Sequence, residues 1–215
     1  NFPGPVEVFN VLIKDTNYNE LLLDMFSSLS RVFVGLIIAI FLGVLLGVGL
    51  ATLGSLGMYL SNYIEFFRPI SPIAWIPIAI IWFGIGEASS YFIIFLAAFF
   101  PIFTNTFTGA RSVNHIHNML AQSMLLSRVQ YLKHILFPSA TPQIITGVRI
   151  GLGFAWMVVI ASEMVAAQSG LGYMIQINRL LMNTEKVIIG MIVIGIIGFI
   201  MNKMALLLEV KLIPW

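Results

Sequence analysis

Residues 32–64 read VFVGLIIAIFLGVLLGVGLATLGSLGMYLSNYI, an uninterrupted run of 33 residues without a charged side chain. A helix crosses the hydrocarbon of a bilayer in about 20 residues, and a charge at its centre costs at least about 2.5 kcal/mol. The run therefore exceeds one membrane span, and the GSLG sequence at 54–57 predicts a turn within it. Further charge-free intervals separate Arg68 from Glu87 and Glu87 from Arg111, which predicts an integral membrane protein.

The composition of the whole chain supports this prediction. Apolar residues make up 59% of the 215 positions and charged residues only 9%, against roughly 25% charged in soluble domains. Eleven basic and nine acidic residues leave a net charge of +2, too little for a surface that follows nucleic-acid phosphates. The chain has no cysteine, which excludes disulfide scaffolds, thiolate metal sites and cysteine nucleophiles.

The charge-free intervals predict an all-α fold with five spanning helices. The fourth apolar segment holds Arg149 near one end and Glu163 near the other, and Lys203 interrupts the fifth. We assign residues 1–29 to a segment on the outer membrane surface and residues 30–215 to one transmembrane domain. The predicted spans lie near residues 30–53, 62–84, 89–110, 143–166 and 187–208.

The orientation follows from the loop at residues 111–142. This loop carries Arg111, Arg128, Lys133 and three histidines but no acidic residue. Because short cytoplasmic loops concentrate lysine and arginine, we expect the loop in the cytoplasm and residue 1 outside.

The second predicted span contains a proline-rich stretch, RPISPIAWIP at residues 68–77. Three prolines in nine residues remove backbone donors, and in lipid such backbone persists only where protein or a water-filled cavity covers it. We therefore predict a broken helix that lines a translocation pathway, with Ser71 and Trp75 in it. Arg68 would either attract an anion there or anchor the chain at the interface.

Two ionisable residues fall inside the fourth span and count as candidates for function. Arg149 and Glu163 are 14 residues apart, about 21 Å along one helix, so they cannot pair with each other. Glu163 either belongs to the pathway or pairs with another helix, and Arg149 is interfacial or functional. The small residues Gly43 and Gly47 have the spacing for close helix contact, within the chain or across a homodimer.

The chain shows no catalytic or metal-binding constellation. His115, His117 and His134 belong to the 111–142 loop and lack acidic or sulfur ligands nearby. No Gly-Lys pair for a phosphate loop occurs, and no Gly-x-Ser-x-Gly motif. We therefore expect a non-catalytic protein without a cofactor or metal of its own.

The cytoplasmic loop shows helical periodicity between residues 118 and 136, and Pro138 and Pro142 are expected to end that helix. A short amphipathic helix between two spans either lies on the membrane or docks into a groove of a partner. The apolar positions on one side are Ala121, Leu125, Val129 and Leu132.

The same loop carries a family resemblance. The sequence MLAQSML at 119–125, nine residues, and ILFP at 135–138 resemble the EAA loop of binding-protein-dependent ABC importer permeases. Other stretches are similar to the nitrate, sulfonate and taurine branch, most of all to taurine permeases, and the resemblance extends from about Ser28 to Trp215. These stretches are FRPISPIAWIP at 67–77, IWFGIGE at 81–87, GVRIGLGFAW at 147–156, ASEM at 161–164 and GLGY at 170–173.

The loop departs from the family pattern at several positions. Met119 stands where the family has Glu, Leu120 where it has Ala, Leu125 where it has Gly, and Phe137 where it has Leu. Because a leucine takes a positive φ only with strain, we expect an altered loop geometry at Leu125.

The resemblance implies a type I ABC importer transmembrane domain with six spans in the full protein, one of them before Asn1, in a bacterial inner membrane. Two such permeases, as a homodimer, would form the path, and a periplasmic binding protein would deliver the substrate. Two ATP-binding cassette ATPases, holding ATP and Mg²⁺, would grip the loop. The implied coupling residues are Met119, Leu120, Ala121, Gln122, Ser123, Met124, Leu125, Ser127 and Arg128.

We therefore expect the permease subunit of an ATP-driven importer for a small anion. Taurine or another alkanesulfonate is the first choice of substrate, and nitrate or bicarbonate comes next. A stand-alone secondary transporter or channel is the alternative, for which Glu163 is the one plausible buried carboxylate for ion coupling. An intramembrane enzyme is disfavoured because no nucleophile and base pair is found.

Overall fold

The computed structural model describes residues 3–14 and 17–212, leaving out the side chains of Lys14, His115, Asn118, Gln122 and Leu212. Its elements are helices, as the composition predicts. They are α1 (Pro5–Lys14), α2 (Tyr18–Ala51), α3 (Ser55–Phe66), a 3₁₀ turn (Pro72–Trp75), α4 (Ile76–Phe83), α5 (Glu87–Arg111), α6 (His115–Ser123), α7 (Arg128–Tyr131), a π-helical turn (Leu132–Leu136), α8 (Phe137–Ala166), α9 (Leu171–Leu180) and α10 (Thr184–Leu212).

In the described ranges, four helical stretches are long and apolar enough to cross a membrane: Tyr18–Ala51, Glu87–Arg111, Arg128–Ala166 and Thr184–Lys211. They contain the third, fourth and fifth predicted spans and all but the last two residues of the first. The first of these four stretches, α2, begins at Tyr18, twelve residues before the predicted boundary at residue 30. Part of the predicted 1–29 segment therefore continues the first span. The surface location of residues 1–29 itself stays a prediction.

Three glycines at residues 35–47 of α2 bring this helix close to α5. A Cβ added at Gly35 would lie 2.6 Å from Ile94, and one added at Gly47 would lie 2.8 Å from Thr106. Gly43, between them, faces the same helix. Residue numbers rise together on both helices, so α2 and α5 are parallel. The small-residue spacing therefore serves packing within the chain.

Helix α8 completes the core and runs antiparallel to α5. Gly109 of α5 faces Gln143, whereas Gly151 further along α8 faces Ala98. Fully buried apolar side chains fill the space among α2, α5 and α8, and burial of each stabilises the fold by about 1.5–3 kcal/mol. The largest are Ile94, Ile102, Phe103 and Val159.

The chain between α2 and α5 returns along the bundle, because these two helices are parallel. It does so as two short helices, α3 and α4, separated by the non-helical residues 67–71 and a 3₁₀ turn. The prediction of a broken helix within the second span is confirmed, and the break divides the region near 62–84 into separate short helices. Prolines at 69, 72 and 77 explain the break, since each lacks the amide donor that a continuous helix needs.

The 111–142 loop is also more divided than predicted. Helix α6 ends at Ser123 and α7 begins at Arg128, so the expected helix over 118–136 is interrupted. Pro138 and Pro142 do not end a helix, because α7, the π-helical turn and α8 form one continuous stretch. The π turn directly before Pro138 shifts the hydrogen-bond pattern where proline contributes no donor.

Candidate functional site

We call the end of the bundle at Glu87 and Ala166 the outer end, and the end at the 111–142 loop the inner end, following the predicted orientation. Functional candidates lie at both. The two ends differ in chemistry, since the outer end buries charge and the inner end exposes apolar side chains.

Arg31 of α2 is the centre of the outer site, and its side chain is only 1% exposed. Its Nε and Nη2 donate to the two carboxylate oxygens of Glu87 at 2.8 and 2.5 Å. Its Nη1 donates to Glu163 Oε1 at 2.7 Å, and both terminal nitrogens donate to Ser169 at 2.7 Å, one to the carbonyl and one to Oγ. All five donors of the guanidinium are therefore used.

Glu163 of α8 is the buried partner, with 0% exposure. Its Oε2 accepts from Ser28 Oγ and from the amide of Gly172, each at 2.9 Å. Together with Arg31, these donors satisfy both oxygens of the carboxylate. Glu163 thereby joins α8 to α2 and to the start of α9.

The start of α9 receives its capping groups from other helices. The amide of Gly170 donates to Asp24 Oδ1 at 2.8 Å, and the amide of Leu171 donates to Ser28 Oγ at 3.0 Å. With the Gly172–Glu163 bond, three of the first amides of α9 have partners, which a helix start requires. Negative charge also suits this end of a helix.

The glycines of the GLGY sequence fit this arrangement. A Cβ at Gly170 or Gly172 would collide with Glu163, and one at Gly170 would also lie 2.6 Å from Arg31 Nη1. Gly170 has φ +105°, a conformation that side chains rarely adopt. The two glycines therefore let the backbone of α9 approach the carboxylate. We call Asp24, Ser28, Arg31, Glu87, Glu163 and Ser169 the outer ion network.

The two ion pairs of this network differ in strength. Arg31 and Glu163 are both buried, and breaking such a pair by removing one partner costs about 3–5 kcal/mol. The side chain of Glu87 is 55% exposed, and pairs with an exposed member contribute about 0–1 kcal/mol. Most of the stabilisation therefore lies in the bond to Glu163.

Of the predicted residues, Glu163 lies in this network, and its role in the pathway stays a prediction. The prediction that Glu163 and Arg149 do not pair with each other is confirmed. Arg149 donates instead to Glu209 of α10 at 2.5 Å, and Thr146 donates to the same carboxylate at 3.1 Å.

Arg31, Ser28, Asp24 and Glu87 were not among the sequence candidates. Arg31 directly precedes the charge-free run at 32–64 and does not stand out as a candidate, because a charge usually marks the end of an apolar run. A signal did exist, since Glu163 needs a basic partner inside the membrane, and Arg31 is the basic residue at the corresponding end of α2.

The structure places the other predicted pathway residues apart from this network. Arg68 and Ser71 are exposed in the break between α3 and α4. Trp75 packs against an apolar cluster that includes Ile76 and Ala79 of α4. The described contacts do not bring these three residues to Glu163, and their role in a pathway stays a prediction.

At the inner end, residues 115–131 form two short helices around a turn, and we call them the coupling segment. Ser127 caps α7: its Oγ accepts from the Gln130 amide at 3.4 Å, and its amide donates to Gln130 Oε1 at 2.9 Å. This capping box fixes the turn between the helices. The side chain of Gln122 lies outside the described residues.

The coupling segment presents apolar side chains to its surroundings. Met124 is 70% and Leu125 is 90% exposed, and Met119 and Leu120 are more than half exposed. Ala121, in contrast, is buried. A contiguous exposed apolar surface is typical of an interaction site.

Leu125 adopts φ +50°, the left-handed conformation that glycine takes without strain. Leucine therefore takes the positive φ itself, and a loop geometry that differs from the family pattern at this position stays a prediction. The conformation costs about 1–2 kcal/mol for a residue with a Cβ.

A groove of about 1300 Å³ lies beside the coupling segment. One side of it is formed by Ala110 of α5 and by Thr52 and Leu53, which directly follow α2. Leu125, Arg128 and the π-helical turn contribute to its lining. The inner end thus offers a concave surface with exposed apolar groups on its margin.

Comparison with known proteins identifies the class. Residues 25–213 match the family described as binding-protein-dependent transport system inner membrane component. The chain belongs to this family.

Named relatives narrow the class. The chain is 38% identical over 189 residues to the taurine transport system permease protein TauC of Escherichia coli strain K12, covering 88% of this chain and 69% of that protein. It is 34% identical to the nitrate import permease protein NrtB of Synechocystis, and the match covers 100% of this chain and 81% of that protein. It is 31% identical to the putative aliphatic sulfonates transport permease protein SsuC of Bacillus subtilis, and the match covers 99% of this chain and 77% of that protein.

The fold is similar to a solved structure of the MetNI methionine ABC transporter in inward-facing conformations. The TM-score is 0.73 at 19% identity, and the match covers 88% of this chain and 94% of that chain. The expected all-helical importer fold is confirmed. The chain is a non-catalytic, multi-pass permease component of the inner membrane, without a cofactor site in this family.

Proposed function

We propose that this permease imports a small anion delivered by a periplasmic binding protein, with taurine or another alkanesulfonate first and nitrate or bicarbonate next. Relatives named for taurine, nitrate and aliphatic sulfonates at 31–38% identity support this range. The relative named for taurine has the highest identity of these three, which supports taurine as the first substrate to test.

The coupling segment is the surface that binds the ATPase. The observation that carries this assignment is the exposure of Met124 and Leu125 on a turn fixed by a capping box, beside a groove at the inner end. A short helix and turn of this kind enters a groove of a partner through its apolar side chains. Two ATPase subunits and a second copy of the permease complete the importer.

The outer ion network favours this function over a stand-alone secondary transporter. A secondary transporter needs a carboxylate that binds and releases a coupling ion near the middle of the membrane. Glu163 has both oxygens occupied by Arg31, Ser28 and Gly172. Energy from a separate ATPase removes the need for such a carboxylate.

The test is ATP hydrolysis by the complete complex, reconstituted in vesicles with its ATPase and binding protein. We expect binding protein loaded with taurine to stimulate hydrolysis and uptake, with weaker stimulation by nitrate or bicarbonate. Met124→Asp should abolish the stimulation, whereas the control Val210→Asp, at a site on the last turns of α10 that is equally exposed, should retain it. Uptake without any ATPase would contradict the proposal.

A further inference from the structure

Arg31 holds two carboxylates that lie in very different surroundings. Glu163 is completely buried and has further donors in Ser28 and Gly172. Glu87 is more than half exposed, and its two hydrogen bonds from Arg31 connect it to α2. The buried guanidinium therefore binds one carboxylate that protein encloses and another that is exposed at the outer surface.

Glu87 also occupies a different place in the chain. It is the first residue of α5 and follows a turn in which Gly84 has φ +77° and Gly86 has φ +142°. Both conformations favour glycine, so the turn depends on its glycines. The turn connects α5 to α4, the short helix after the proline-rich break, which packs through Ile76 and Ala79.

One turn further into α5, this helix packs closely against α8. Ser162 Oγ donates to Ser90 Oγ at 3.0 Å, and both side chains are fully buried. Gly151 of α8 lies against the backbone of Ala98 further in. From Ser90 inward, α5 is thus packed closely on α8. Further out, the Gly86 amide donates to the carbonyl of Ala166, the last residue of α8, at 2.8 Å.

We propose that Arg31 is a positioning residue for transport, holding Glu163 throughout the cycle and releasing Glu87 each time the outer end opens. Release, together with loss of the hydrogen bond from the Gly86 amide to the Ala166 carbonyl at 2.8 Å, lets the turn at residues 84–86 move relative to α2 and to the outer end of α8. The bond to Glu163 meanwhile keeps the start of α9 in place. This inference rests on the proposed importer function, since it requires a cycle that opens the outer end.

The first test weakens the releasable bond alone. In the reconstituted complex, Glu87→Gln should raise ATP hydrolysis without binding protein by about twofold to fivefold, the factor expected for a pair with one exposed member. Glu185→Gln is the matched control, because Glu185 also lies in the first turn of a helix at the outer end. Glu87→Asp retains the charge and should return hydrolysis towards the wild-type rate.

The second test cross-links the start of α5 to the segment after α8, which is possible because the chain has no native cysteine. Glu87 and Ser169 both accept from Arg31 Nη2. The double variant Glu87→Cys with Ser169→Cys therefore places two thiols beside this nitrogen of Arg31. Cross-linking should stop uptake, and reduction should restore it. The control pair Ser90→Cys with Ser162→Cys lies inside the closed contact and should transport in the cross-linked fraction.

These outcomes separate the inference from the proposed function. If loaded binding protein does not stimulate the wild-type complex, the importer function fails. If it does, and Glu87→Gln hydrolyses ATP at the wild-type basal rate, the release of Glu87 is refuted. Normal uptake by the cross-linked Glu87–Ser169 pair, or arrested uptake by the cross-linked Ser90–Ser162 pair, would also refute it.

Discussion

The outer and inner ends of this bundle differ in which side chains they bury and which they expose. At the outer end, Arg31 and Glu163 bring charge into the protein and satisfy it completely with partners from α2, α5, α8 and the start of α9. At the inner end, Met124 and Leu125 leave apolar surface exposed next to a groove. The first region is complete within one chain, and the second has the properties of an interface.

This difference shows how a non-catalytic subunit divides its work. Buried charge that lacks a partner costs several kcal/mol, so a satisfied network specifies one arrangement of the helices. Exposed apolar surface on a loop between spans is stabilised when lipid or another protein covers it. Stability should therefore depend on the outer end, and association with the ATPase on the inner end.

The largest effect is expected from Arg31→Met. This variant leaves Glu163 buried without its cation and should destabilise the subunit by about 3–5 kcal/mol. The measurement is the thermal unfolding of the purified permease in detergent, together with the yield of monodisperse protein.

Two further variants make this test specific. Arg31→Met combined with Glu163→Gln should recover part of the loss, because no uncompensated charge remains. Arg149→Met should cost far less, since Arg149 and Glu209 are both partly exposed. Equal destabilisation by Arg31→Met and Arg149→Met would contradict the contrast between the two ends.

Much of the fold follows from the sequence because membrane helices obey simple rules. The charge-free intervals predicted the regions of α2, α5, α8 and α10, and three prolines predicted the break before α4. The helix starts were less predictable. Helix α2 extends outward to Tyr18 because Asp24, Ser28 and Arg31 find partners in the protein, which hydropathy does not reveal.

The outer site was only half predictable for the same reason. Glu163 stood out as an acidic residue within an apolar segment, but its partner Arg31 is 132 positions away in the chain. No local pattern connects them. The GLGY sequence was recognised as a family motif, and the structure explains it by the approach of α9 to Glu163.

A second, smaller effect is expected from Gly172→Ala. The added Cβ would lie 2.8 Å from Glu163 Cβ, and overpacking of this kind costs about 1–3 kcal/mol. Gly153→Ala is the control, because a Cβ there meets open space. Comparing the two unfolding temperatures measures how tightly the start of α9 is held, and equal temperatures would exclude the close approach described for Gly172.

At the inner end, Met124→Asp should leave the unfolding temperature unchanged, since the side chain is 70% exposed. It should instead weaken binding to the ATPase by about tenfold or more, because truncating a central apolar contact costs more than about 1 kcal/mol. Copurification of tagged ATPase measures this. The opposite pattern, with lower stability and unchanged binding, would make the coupling segment part of the core of the subunit.

The smallest effect concerns Leu125, the strained residue of the coupling segment. Leu125→Gly removes a Cβ from a position at φ +50°, which should relieve about 1 kcal/mol of strain, while the more flexible unfolded chain offsets part of the gain. We expect a small rise in the unfolding temperature together with weaker ATPase binding, because the exposed leucine is lost. Leu125→Ala keeps the strain and also loses the side chain, so it should weaken binding without the rise. If both variants bind the ATPase as tightly as wild type, the leucine contributes only to the turn, and the interface must be formed by its neighbours.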